Sequence, residues 1–301
     1  MRSDPCRRST LGVTIEGANM RLWFTCRSVT MVSEPFDFIK VGLPPLLSIT
    51  DILSVHEQDT SQLIHFFCSV AFADDHELGW DPSIRRILVD GHAQYEITLN
   101  STKRSPVYIT TGTLADFGAE AMRGRGTRVF KGYCKGDPDK TPVAIKDTWR
   151  ASDREREDVI LNEIFADMAK VMDKAEVKDV QKHFLTVRDA GDVVIKGKVD
   201  DALCLLRGEN PPSDCKMYEI PPEEPPSTDK LSKETTTTHT TVPPVADFKV
   251  SHRVHIRIVF KEICETLYSV RDLRGVMQML LDVLKGVNAR SSRRFIHLTG
   301  L

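Results

Sequence analysis

The sequence predicts an α+β fold, and three observations carry that prediction. Residues 20–110 read as a small mixed α/β unit that is largely β, its short stretches rich in β-branched and aromatic residues separated by turn residues. A glycine-rich turn, Arg123-Gly124-Arg125-Gly126-Thr127-Arg128-Val129, comes next, and soon after it the apolar run Val143-Ala144-Ile145 ends on a lysine, Lys146. Helical periodicity then appears in the residues up to about Met172 and again over about 271–287.

Composition narrows the function classes. The 301 residues carry a formal net charge of -2, with 28% charged and 41% hydrophobic residues, an ordinary soluble balance. That charge gives no reason to expect bulk binding to nucleic acid or to an anionic membrane surface. No apolar run approaches the ~20 residues of a membrane span. The first ten residues, MRSDPCRRST, lack the apolar core of a secretory signal. Seven cysteines without a C-x-x-C pair suggest reduced thiols in a cytoplasmic or nuclear protein.

Taken in order, residues 1–19 show no period and are expected to be a flexible lead-in. Met20–Val32 reads as a strand or a bent hairpin arm, ended by Glu34-Pro35. Leu63, Ile64, Phe67, Val70 and Ala71 predict a helix over 60–72. After the turn Gly79–Pro82, three short strands are expected at 84–89, 93–99 and 106–110. Leu114–Met122 reads as a short helical patch. Strands over 124–131 and 142–146 flank the turn Lys135–Pro138.

Ser152 and Glu155 form a capping-box pattern, so a helix is expected to open there. Its apolar face holds Ile160, Leu161, Ile164, Phe165, Met168 and Met172. At ~100° per residue Glu157 falls within that face and Glu163 outside it. A carboxylate on an apolar face needs a partner, so Glu157 is the favoured partner of Lys146, with Glu163 in reserve. Residues 183–206 predict a hairpin turning at Asp189–Asp192. Residues 209–247 cluster proline and threonine and offer few apolar groups to bury, the signature of an exposed insert. Val254, Ile256, Ile258 and Phe260 alternate with polar residues as a strand. His252 and His255 fall on its opposite faces, a poor metal spacing.

A glycine turn followed by V-A-I-K resembles the nucleotide end of a protein kinase, where glycines admit phosphates to the backbone and the lysine offers them a point charge. The resemblance sharpens when more of the chain is added. MRLWFTCRS with SEPFDF, LGWDPSI, GRGTRVF, VAIKDTWR and HRVHIRIVFKEICETL followed by LLDVLKG are together similar to the fungal-type protein kinase family, over about Met20 to Gly286. The resemblance implies a protein-kinase-like N-lobe, an additional N-terminal mixed α/β segment and the start of a helical C-lobe. In those terms 20–120 is the N-terminal segment, 121–208 the N-lobe, 209–247 the insert, 248–288 the hinge strand with the first C-lobe helices and 289–301 a divergent tail. It implies ATP as cofactor, with Gly124 and Gly126 over the phosphates, Val129 and Ala144 beside the nucleotide, Lys146 on the phosphates and the backbone after Phe260 as hinge. A protein substrate or partner follows from the same likeness.

The departures are equally specific. The turn is G-x-G-x-x-V, with Val129 where a third glycine is expected. Asp116-Phe117-Gly118 is a D-F-G tripeptide, but it precedes the lysine strand instead of following a catalytic loop, so no metal is assigned to Asp116. His297 is followed by Leu298-Thr299 and not by Arg-Asp. The expectation is a nucleotide cradle without the magnesium ligands or catalytic aspartate, and hence no phosphoryl transfer by these residues alone.

Overall fold

A computed structural model of the chain describes residues 4–39, 57–100, 105–116, 123–208, 215–216, 250–264, 270 and 272–291. Its centre is a seven-stranded antiparallel sheet. The strands are β5 (Ile84–Val89), β6 (His92–Thr98), β7 (Val107–Ala115), β8 (Arg128–Cys134), β9 (Val143–Ala151), β10 (Val187–Asp192) and β13 (Arg253–Phe260). Their spatial order is β5-β6-β7-β8-β9-β13-β10. β13, the last strand among the described residues, is thus inserted between β9 and β10. A second sheet joins β1 (Ser9–Glu16), β2 (Asn19–Cys26), β3 (Thr30–Val32) and β4 (Phe36–Asp37), and β11 (Val194–Ile195) pairs with β12 (Lys198–Val199). The described residues also include the helices α1 (Glu57–Phe72), α2 (Glu157–Met168), α3 (Lys174–Gln181), α4 (Ala202–Leu205) and α5 (Leu273–Ser291).

The side-chain alternation of β9 divides the core. Val143 and Ile145 join Ile97, Leu99, Tyr108, Phe130 and Val259 on one face of the sheet. Ala144 joins Ile256, Ile258 and Phe260 on the other. On the first face the Tyr108 hydroxyl donates to Asp189 across the sheet, and burial with this bond pushes the phenol pKa up.

Several sequence expectations are corrected. The lead-in over 1–19 is not flexible throughout, because Ser9–Glu16 pairs along its whole length with β2, and Cys6 and Arg8 are buried against the turn at residues 76–81. Leu114 and Ala115 extend β7 and are not helical, while residues 117–122 lie outside the described residues. The capping pattern at Ser152 opens no helix. α2 starts at Glu157 and ends at Met168, with Arg156 as an N-cap that makes no side-chain cap bond. The reciprocal capping box sits instead at Asp173 and Glu176, opening α3, a helix that sequence reasoning missed. The proposed turn at Asp189–Asp192 is strand, since β10 runs through it; the tight turn is Lys196-Gly197, where both residues take positive φ. The insert over 209–247 lies outside the described residues except for 215–216, as does the tail beyond Ser291.

Other expectations coincide with observed elements. The 60–72 helix is α1, the three short strands are β5 to β7, and the 271–287 helix is α5. All seven cysteines are free thiols. None of the described helices is long and apolar enough to cross a membrane.

Candidate functional site

β9 places Lys146 beside Val129 of β8 and Ile258 of β13 in the register of the sheet. Its ammonium lies 2.5 Å from Glu157 Oε2. Glu157 is the first residue of α2, where the N–H groups of the first turn and the helix dipole favour a carboxylate. Both side chains reach solvent, Lys146 being 28% and Glu157 45% exposed. Glu163, six residues further along the helix, is exposed. The start of α2 is tied down by its neighbour: Arg156 grips Asp158 through two nitrogens at 3.0 and 2.9 Å and reaches Asp192 of β10 at 3.3 Å. The helix therefore meets the sheet at a fixed point next to Lys146.

The glycine-rich turn is held from two sides. The Gly124 N–H donates to the Arg27 carbonyl at 2.8 Å, and the Trp149 N–H to the Arg125 carbonyl at 2.8 Å. Gly126 sits at φ +54°, and a Cβ there would lie 2.4 Å from Arg27 Cζ. Only glycine fits this approach. Arg27 is itself buried, and burial together with nearby Arg128 pushes its pKa down to about 10. The turn is consequently welded to the β2–β3 corner of the N-terminal sheet. Val129 and Ala144 lie on the Lys146 face, in the apolar cluster that Ile258 and Phe260 complete.

The opposite face of the same strands holds a group that sequence reasoning missed. Asp147 Oδ1 accepts from His255 Nε2 at 2.9 Å and from Arg257 Nε at 2.7 Å. His255 Nδ1 meets Asp200 Oδ2 at 2.9 Å, and Asp200 Oδ1 accepts from Arg8 at 2.8 Å. Arg257 also binds Asp81 at 2.6 Å. With a carboxylate oxygen at each ring nitrogen, His255 must donate from both and is an imidazolium. Burial, the largest single influence, lowers its pKa, but Asp147 and the bonds from Asp147 and Asp200 outweigh it and raise it to about 9. Burial likewise raises Asp147 and Asp81, and the facing His255 and Arg257 overcome it, holding both carboxyls below the usual range. The Trp149 ring stacks on His255, with centroids 4.5 Å apart and planes 8° from parallel. Three cations and three carboxylates thus close a neutral cluster behind Lys146. His255 and Arg257, the polar positions that alternate with the apolar ones of β13, are buried as deeply as Ile256 and Ile258.

Among the described residues no group of three or more His, Cys, Asp or Glu side chains is placed to hold a metal ion. Asp116 is exposed, and the rest of its D-F-G tripeptide lies outside the described residues.

A model of the fungal protein kinase family matches residues 1–297, nearly the whole chain. The chain belongs to the fungal protein kinase family. No curated protein and no solved structure matches it. The curled antiparallel sheet with few helices is the mixed α/β framework on which this family member carries its lysine.

Proposed function

We propose that residues 1–301 form the ATP-binding part of a fungal-type protein kinase, with the seven-stranded sheet as its N-lobe and α5 as the start of its C-lobe. The observation that carries this reading is the Lys146–Glu157 ion pair. A protein kinase orders its nucleotide end as a glycine-rich loop, a strand, a lysine strand and a helix whose glutamate pairs with that lysine. Here the glycine turn, β8, β9 and α2 follow one another in that order, and the pair is formed.

The residues present fit a nucleotide. Val129 and Ala144 would offer an apolar wall for the base. Lys146 supplies the point charge for the phosphates, and Glu157 holds the ammonium toward them. ATP brings the phosphoryl group, and Mg2+ neutralises its charge when bound. The Gly124 N–H already donates to the Arg27 carbonyl, so it would reach a phosphate only by leaving that bond. Residues 1–301 contain no H-R-D loop, and their D-F-G precedes the lysine, so these residues bind without transferring.

Thermal melts in millimolar Mg-ATP test the reading. The expected result is a rise in melting temperature that disappears in Lys146→Met, with no phosphate transferred to protein serine or threonine. Transfer that depends on Lys146 would contradict the inactivity. An unshifted melt would favour a second reading, a non-catalytic scaffold, which the occupied Gly124 N–H supports.

A further inference from the structure

Away from Lys146, a cavity of about 630 Å³ opens between the β1–β2 hairpin and α1. Leu11 and Leu22 form one wall, and Phe66, Val70 and Ala73 form the other. Phe66 and Val70 follow from sequence, since positions i and i+4 share one side of a helix, and Ala73 is the first residue after α1. Apolar surface is left facing water here: Leu11 is 44% and Phe72 88% exposed. A contiguous apolar surface of this kind, edged by polar groups, marks a binding site.

Two further features define the ligand. Arg207 lines the cavity, and its guanidinium makes no hydrogen bond or ion pair among the described residues. The end of α4 places it there, with the Arg207 N–H on the Cys204 carbonyl and the Gly208 N–H on the Leu203 carbonyl. The price is a left-handed backbone at φ +58°, unfavourable for a side chain of this size. The second feature is volume. The cavity measures about 630 Å³. A space of this size suits a small molecule. Glu77, the other charged lining residue, accepts the Asp74 N–H at 3.0 Å and so is engaged in its own turn.

We propose that this cavity binds an apolar-tailed carboxylate, a long-chain fatty acid, with the chain between the hairpin and α1 and the head on Arg207. Titration calorimetry of the full chain with palmitate, below its micelle concentration, tests this. Saturable one-to-one binding is expected. Arg207→Gln, at an exposed position, should weaken palmitate about tenfold, the scale of a charge-assisted bond, and leave hexadecanol binding unchanged. Ala73→Trp should place an indole in the cavity and weaken binding of both, with the melting temperature of each variant confirming a folded chain. Absence of saturable palmitate binding by the folded wild-type chain would overturn the proposal. So would equal palmitate affinity in Arg207→Gln, or undiminished binding in folded Ala73→Trp. None of these outcomes involves ATP or Lys146.

Discussion

Lys146 and Asp147 are neighbours on β9, and they live in opposite environments. Lys146 faces an open side of the sheet and has one partner, also open to water. Asp147 faces the covered side and has two cationic partners buried with it. The comparison teaches that one strand can separate stability from availability. An ion pair in water contributes ~0–1 kcal/mol and stays free to exchange its partner for a ligand. A buried, fully bonded cluster holds the strand in register, and removing one of its members leaves the others charged and desolvated.

The largest effect should come from breaking the covered side. Arg257→Ala strips Asp81 and Asp147 of a shared cation, and a loss of about 3–5 kcal/mol is expected in urea unfolding. A loss under 1 kcal/mol would show that the cluster does not anchor the sheet.

A pH titration sharpens the same contrast. His255 is raised from an ordinary 6.5 to about 9 in the folded chain. The folded state binds this proton more tightly than the unfolded one, so its stabilisation is complete below pH 6.5 and is lost as pH rises through 9. Unfolding free energy should fall by a few kcal/mol over that window. His255→Gln should flatten this slope. The two carboxyls work in the other direction: Asp147 and Asp81 are depressed, so their contribution is present above the usual carboxylate range and fades as pH falls below it.

A smaller effect is expected where the two sides meet at the glycine turn. Gly126→Ala places a methyl against the buried Arg27 guanidinium at a positive φ, and about 1–3 kcal/mol should be lost. Arg27→Ala in the same chain would remove the clash and should recover part of that loss. Smallest of all, Glu157→Gln should change stability by less than ~1 kcal/mol.

Much of this was legible in the residues. The apolar run ending in Lys146, the glycine turn and a glutamate placed on the following helix pointed to an ion pair that the structure contains. The strands β5 to β9 follow from β-branched runs separated by turn residues. What could not be read was long-range. Arg8, Asp81, Asp147, Asp200, His255 and Arg257 are spread over nearly the whole chain, and no local pattern joins them. Alternation in HRVHIRIVF correctly indicated a strand, but period two cannot tell a polar face in water from a polar face buried against its own counter-charges. β1 was missed because its partner, β2, supplies the order that its own residues do not. The false capping box at Ser152 fits the same lesson: the pattern was present, but Arg156, held by Asp158 and Asp192, fixes where α2 begins.

The central claim is that the Lys146 side serves binding and the Asp147 side serves stability. The measurement that tests it most directly is Lys146→Met, assayed for both urea unfolding and Mg-ATP affinity by calorimetry. Stability within ~1 kcal/mol of wild type and affinity reduced at least tenfold are expected. Unchanged ATP affinity, or a loss of stability comparable to that of Arg257→Ala, would contradict it.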